Sequence, residues 1–211
     1  MRVLILSAHT DDAELGAGGT AIKLKSQGHQ LRWITFSSCK ESLPCSFKSY
    51  TLEREFFKAM EVLGLNETSF MLYDTPVRRF HVYRQDILDK LILEKKGFKP
   101  DLVFAPSLRD THQDHSVLAS EALRAFRNYC SLVNYELPWN QISSERNMFI
   151  EMPQQHVEKK KELVACYKSQ REIGKLYCSD EFIESSAVVA GVQIGVKYAE
   201  AFEVVRWRLL C

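Results

Sequence analysis

Two clusters of polar residues carry the chemistry open to this chain. The first, Ser7-Ala8-His9-Thr10-Asp11-Asp12-Ala13-Glu14, sets one imidazole and three carboxylates directly after a short apolar run. The second, Arg109-Asp110-Thr111-His112-Gln113-Asp114-His115, follows another such run about a hundred residues later. An isolated histidine is ordinarily a solvated or core residue. Here His9 and the His112/His115 pair would meet on one rim of a sheet, a coincidence that unrelated surface loops do not require. His9 and Asp12, with a further imidazole from His112 or His115, make a His-His-Asp set. Three protein ligands with an open fourth position is the pattern of catalytic zinc. Zinc brings the pKa of bound water near 7, and Asp11, beside a ligand but pointing differently, is then a candidate base. Lying three positions apart, His112 and His115 share a helix face, so one can bind metal while the other stands over a reacting carbonyl.

The elements that must position these clusters follow from periodicity. Residues 2–6 read as a buried strand, 12–26 as a helix stopped by Gly28, and 31–36 as a second strand. Such a βαβ unit implies a parallel sheet with right-handed crossovers. Open α/β sheets place ligands beyond the carboxyl ends of their strands, where both clusters fall. Helical spacing recurs at 52–63, with Phe56, Phe57, Met60 and Leu63 inward, and at 83–96; strands recur at 69–72 and 100–106. The second cluster leads into a helix reaching about Phe126. Residues 132–137 and 147–151 read as strands, and 157–167 as a helix whose three consecutive lysines form a solvated face. A helical stretch from Asp180 precedes 198–208, whose alternating apolar and charged residues suit an edge strand. Residues 37–50 form a long polar loop beside the clusters, placed as a lid would be. The alternation predicts an α/β fold: a Rossmann-like, mostly parallel sheet with helices on both faces, one domain over 1–211.

Composition narrows the function. With 211 residues, 45% hydrophobic and 26% charged, the chain suits a single globular core. A net charge of +1 supplies no general field for nucleic acid or an anionic membrane. No apolar stretch approaches the roughly 20 residues that span a bilayer. The amino-terminal run is short and is followed by Asp11 and Asp12 where a cleavage site would need small residues, so a cytoplasmic location is expected. The six cysteines (Cys39, Cys45, Cys130, Cys166, Cys178, Cys211) are scattered without a C-x-x-C pair. That argues against a structural zinc cage and for reduced thiols, with Cys39 and Cys45 the pair nearest in one loop.

His9-Thr10-Asp11-Asp12-Ala13-Glu14 resembles the His-Pro-Asp-Asp-x-Glu signature of the PIG-L/LmbE family of zinc-dependent N-acetylglucosaminyl deacetylases, and His112-Gln113-Asp114-His115 resembles its His-x-Asp-His signature. Ala17-Gly18-Gly19-Thr20, residues 55–64, Pro100-Asp101-Leu102-Val103-Phe104 and Tyr198-Ala199-Glu200-Ala201-Phe202 extend the likeness over nearly the whole chain. The resemblance implies that His9, Asp12 and His115 bind Zn2+, although another divalent ion such as Fe2+ fits the same set. It implies that Asp11 is the general base and that His112, protonated and oriented by Asp114, supports the oxyanion. Asp11 would take a proton from the attacking water and deliver it to the leaving nitrogen, releasing acetate and a free amine. The implied substrate is an N-acetyl sugar or glycoconjugate; a homo-oligomer is compatible with this reading.

The chain departs from the family pattern in two places. Thr10 replaces the usual proline and offers a hydroxyl that could cap a helix start. Leu52 stands where many members carry a substrate-holding arginine, leaving Arg54, Arg78 or Arg79 as replacements. Residues 135–140 resemble a substrate-side loop of short bacterial members, with Glu136 and Asn140 as hydroxyl-binding groups. Two other readings compete. Gly16-Ala17-Gly18-Gly19-Thr20-Ala21 formally fits a dinucleotide-binding pattern, but nine residues separate Leu6 from Gly16 and the second strand ends in serines, not an acid. A non-catalytic carbohydrate- or metal-binding protein would be expected to have lost Asp11 or His112, and both are present.

Overall fold

Seven strands form one sheet in the order β3-β2-β1-β4-β5-β7-β6 in a computed structural model that describes residues 1–208. The strands are β1 (Arg2–His9), β2 (Gln30–Ser37), β3 (Phe70–Leu72), β4 (Leu102–Pro106), β5 (Ser131–Tyr135), β6 (Met148–Glu151) and β7 (Ala199–Arg206). The helices are α1 (Asp12–Ser26), α2 (Thr51–Val62), α3 (Arg84–Gly97), α4 (Gln113–Phe126), α5 (Gln154–Val164), α6 (Lys168–Glu172) and α7 (Asp180–Val192). Strands β1 to β5 pair in parallel, whereas β7 runs antiparallel to both β5 and β6. The mostly parallel α/β sheet expected from the alternation is therefore present.

Both faces of the sheet are covered, which is why β1 is an unbroken apolar run. Val3 and Ile5 pack with α1, α2 and Leu163 of α5, while Leu4 and Leu6 face Ile87 and Leu91 of α3 and Leu118 and Phe126 of α4. The glycines of α1 sit inside the helix, not at a strand-to-helix turn, and they serve close approach. A Cβ at Gly16 would lie 2.2 Å from Cδ2 of Tyr135, and one at Gly19 would lie 2.1 Å from Sδ of Met152. The dinucleotide pattern is thus a packing feature.

Three expectations are corrected here. Strand β7 is not an edge; it lies between β5 and β6, because its charged residues find partners inside the protein. Glu200 accepts hydrogen bonds from the backbone N–H of Gly19 and Thr20 and pairs with Lys160 at 2.6 Å. For the same reason the lysine run of α5 is not wholly solvated: Lys160 is buried and also donates to the Leu15 carbonyl at 2.6 Å. Phe57, expected inward, is 45% exposed and leans on Phe56 and Phe70. The cysteines at 39, 45, 130, 166 and 178 are free thiols, and Cys211 lies outside the described residues. No helix among the described residues is long and apolar enough to cross a membrane.

Candidate active site

The chain runs from β1 to β2 and β3 on one side and then crosses back to β4, so β1 and β4 are neighbours at the reversal of strand order. That switch point is where an open sheet leaves a crevice at its carboxyl edge. His9 is the last residue of β1 and Asp12 the first of α1; His112 caps α4, just beyond β4. The tertiary fold thereby joins two motifs that are about a hundred residues apart.

Three atoms converge. His9 Nδ1 lies 3.0 Å from His115 Nε2 and 3.3 Å from Asp12 Oδ2, which is itself 3.1 Å from His115 Nε2. Ligands at about 2.0–2.1 Å from a tetrahedral zinc stand about 3.3 Å apart, so this triangle fits one face of such a site. The outer nitrogens are tied to carboxylates. His9 Nε2 is 3.0 Å from Asp114 Oδ2, and His115 Nδ1 is 2.7 Å from Asp110 Oδ2. A ring that donates one N–H to a carboxylate keeps the other nitrogen's lone pair for a metal. His112 stands beside this set, and nitrogens of His9, His112 and His115 lie within 4.8 Å of one another.

The electrostatics call for a cation. Burial opposes charge on His115, yet Asp12 and Asp110 outweigh it and raise its pKa to about 10. Burial likewise opposes charge on His9, and Asp12 with Asp114 still holds it above the ordinary imidazole value. Asp12 resists its own burial because His115 and His9 pull its carboxyl down. Asp11 goes the other way: burial and the adjacent charges of Asp12 and Glu14 push its carboxyl well above the usual range. It occupies a left-handed conformation at φ 84 and makes no capping bond to α1, so its carboxylate is free for another task. The remaining acid of the motif, Glu14, is fully buried, accepts a hydrogen bond from the Tyr167 hydroxyl at 2.5 Å, and is pushed up to about 7 by burial.

Three expected details differ. The Asp114 carboxylate does not hold His112; it accepts from His9 and from the backbone N–H of Arg78 at 2.6 Å and Phe80 at 3.3 Å. Burial and the neighbouring His9 and His115 lower the pKa of His112 to about 4, against the imidazolium expected there. Its Nδ1 accepts the Asp114 backbone N–H at 3.2 Å, which assigns the proton to Nε2. Thr10 Oγ1 is buried without a partner instead of capping α1, because Asp11 takes the cap position.

These residues floor a cavity of about 330 Å3, whose walls include Leu52, Arg78, Trp139, Asn140, Gln170, Lys175 and Tyr177. Asn140 is thus brought to the cavity, and Cys39 and Ser42 of the 37–50 loop also line it. Arg54 and Glu136 are not brought there. The Arg54 guanidinium lies 4.4 Å over the Tyr50 ring, and Glu136 pairs with Arg146 at 2.9 Å beside a neighbouring apolar cavity. Gln170, Lys175 and Tyr177 were invisible to sequence reasoning, since they come from short segments without periodicity. Asp110 carried a readable signal: a ligating histidine almost always needs a carboxylate or carbonyl behind it.

Known proteins agree with this architecture. A family model described as PIG-L, GlcNAc-PI de-N-acetylase, matches residues 4–126. A protein of Escherichia coli (strain K12) described as "Uncharacterized deacetylase YaiS" is 24% identical over 153 residues, 70% of this chain and 80% of that protein. Among solved structures, N,N'-diacetylchitobiose deacetylase from Pyrococcus horikoshii superposes with a TM-score of 0.80 at 20% identity, covering 97% of this chain and 83% of that one. The 4-carboxy-2-hydroxymuconate hydratase GalB of Pseudomonas putida KT2440 reaches 0.79 at 20% identity, covering 100% and 98%. A deacetylase and a hydratase on one fold show that the fold alone does not choose the reaction. The family model spans more than half of the 211 residues and includes both motifs, and the chain belongs to the PIG-L family.

Proposed function

We propose that this protein is a zinc-dependent N-deacetylase that hydrolyses the acetamide of an N-acetylated sugar or glycoconjugate to the free amine and acetate. The observation that carries the reading is the convergence of His9 Nδ1, Asp12 Oδ2 and His115 Nε2 at 3.0–3.3 Å, with the unengaged carboxylate of Asp11 beside them. His9, Asp12 and His115 would hold the metal, which when bound acidifies water and polarises a carbonyl. Asp11 accepts the proton of the attacking water and carries it to the leaving nitrogen. Burial and the charges of Asp12 and Glu14 make its carboxyl hold a proton more firmly than an exposed one, which suits a group that must both take a proton and return it. His112 donates its Nε2 proton as a hydrogen bond to the developing oxyanion, a role that a neutral imidazole performs. Asp110 and Asp114 fix the ring orientations of His115 and His9. Deacetylase activity is the description carried by the family model and by the Escherichia coli relative, which favours this reaction over the hydratase chemistry found on the same fold.

The test pairs metal analysis with acetate release from N-acetylhexosamine derivatives. Asp11→Asn is expected to retain near-stoichiometric zinc while turnover falls about a hundredfold or more, as for loss of a positioned base. His115→Ala is expected to lose the metal. Wild-type turnover in Asp11→Asn, or unchanged zinc in His115→Ala, would show the roles to be wrongly assigned.

A further inference from the structure

We propose that Lys160 and Glu200 are positioning residues for the base: wedged into α1 between Leu15 and Thr20, they fix the direction in which its first turn presents Asp11. The inference rests on the deacetylase reading and adds residues that neither motif contains. In a regular helix the Gly19 N–H would bond the Leu15 carbonyl and the Thr20 N–H that of Gly16. Here Lys160 Nζ donates to the Leu15 carbonyl at 2.6 Å, while Glu200 accepts the Gly19 N–H at 2.9 Å on Oε1 and the Thr20 N–H at 2.6 Å on Oε2. Lys160 and Glu200 also meet each other at 2.6 Å, so an ion pair stands across one step of the backbone ladder. Both side chains are buried, where such charge-assisted bonds are strongest.

The composition of α1 makes this wedge decisive for its first turn. Gly16, Gly18 and Gly19 admit the Tyr135 ring, Leu163 and the Glu200 carboxylate against the helix backbone, and a Cβ at Gly19 would stand 3.0 Å from Glu200 Oε1. The same glycines stiffen the helix least, so residues 19–26 alone do not aim residues 11–15. Inserted side chains and adjacent glycines are both settings in which a helix changes direction. The link to the base runs through Leu15, whose carbonyl is held by Lys160 and whose N–H donates to the Asp11 carbonyl at 2.9 Å. Asp11 itself is left-handed at φ 84, a conformation that persists only where its surroundings impose it. The metal ligands are tied down separately: Asp12 Oδ2 accepts the His9 N–H at 2.8 Å, and Ser7 Oγ accepts the Ala13 N–H at 3.2 Å. Disturbing the pair should therefore move the base and spare the ligand set. A pair that merely joined α5 to β7 would have no need to reach the backbone of α1.

The experiment compares zinc-loaded wild type, Glu200→Gln, Lys160→Met and Leu24→Ala, the last at a buried residue of α1 on the far side of the step. Leu24→Ala removes core packing and should lower stability to a similar degree as the pair variants. Acetate release from N-acetylhexosamine derivatives gives kcat and KM per bound zinc, at a temperature where every protein is folded. Both pair variants are expected to keep near-stoichiometric zinc and a KM within about threefold of wild type while kcat falls about tenfold or more, as for a displaced reacting group. Leu24→Ala should keep kcat within about twofold. In parallel, the Asp11 carboxyl resonance of protein labelled with carboxyl-enriched aspartate, assigned by its loss in Asp11→Asn, should move in both pair variants and hold still in Leu24→Ala. Unchanged kcat in the pair variants, an equal fall in Leu24→Ala, or loss of zinc in step with activity overturns the proposal. No acetate release by wild type from any derivative overturns the deacetylase reading, and the Asp11 resonance then decides the positioning: a shift confined to the pair variants supports it, and its absence overturns it.

Discussion

Asp110 offers the sharpest test of how this site is held together. Its carboxylate accepts two hydrogen bonds, from the His112 backbone N–H at 2.8 Å on Oδ1 and from His115 Nδ1 at 2.7 Å on Oδ2. In Asp110→Asn the shape is kept but only one acceptor remains. If the amide oxygen stays with His112, its NH2 meets His115 Nδ1, and the imidazole proton must move to Nε2. That consumes the lone pair lying 3.0 Å from His9 Nδ1 and 3.1 Å from Asp12 Oδ2. If the amide flips, His115 keeps its tautomer and the His112 N–H is left facing a donor beside a buried side chain, at about 1–3 kcal/mol. Both orientations weaken the site, and loss of such a supporting carboxylate typically costs about 10–100-fold in metal affinity, or about 1.4–2.7 kcal/mol. Competition against a chromophoric chelator at neutral pH measures it directly, with the exposed Asp74→Asn as the control. A zinc affinity in Asp110→Asn within about twofold of wild type would refute the proposed coupling between the carboxylate, the tautomer and the ligand set.

Two further perturbations probe the scaffold. Lys160→Met strands the buried Glu200 carboxylate, which keeps only the Gly19 and Thr20 N–H bonds, so urea unfolding should show a loss of about 3 kcal/mol, or about 6–12 °C in Tm. Lys159→Met, an exposed neighbour in the same run, should change stability by less than about 0.5 kcal/mol, and a similar result for both would contradict the buried pair. Glu14 has a folded pKa raised from 4.5 to about 7 by burial, so the native state holds a proton that the unfolded chain releases. Its contribution is fully present below about 4.5 and is lost as pH rises to about 7, a swing of about 3 kcal/mol in metal-stripped protein. Glu14→Gln should abolish that part of the slope and leave the protein more stable than wild type at pH of about 8; parallel urea midpoints across this range in both proteins would contradict it.

Much of the site was written in the chain because its two halves are local. His9, Asp11 and Asp12 follow a strand whose apolar run announces burial, and His112, Asp114 and His115 follow another, so a parallel sheet puts both on one edge. Residue type and spacing were enough to propose ligands and a base. Spacing could not say which histidine each carboxylate supports. Asp114 is two residues from His112 yet reaches across to His9, because the N-terminus of α4 turns the side chain toward β1 and leaves the backbone N–H to His112. Arg54 and Glu136 had the right chemistry in the wrong places, since Arg54 lies over the Tyr50 ring and Glu136 pairs with Arg146, both outside the cavity.

The sequence by itself determined the α/β alternation, the buried parallel strands and the two motifs, because periodicity and covalent neighbourhood are local properties. Only the tertiary structure decided what depends on distant partners. Glu200 and Lys160 were charged residues in patterns that read as exposed, and they are buried because each finds the other across 40 positions. Arg78 was one of three arginines that could replace the missing one and Lys175 carried no signal, and both became walls of one cavity through the crossover that brings β1 beside β4 and the placement of residues 168–178 along it. Burial of a charge is settled by what lies opposite it, and the linear order of residues does not contain that information.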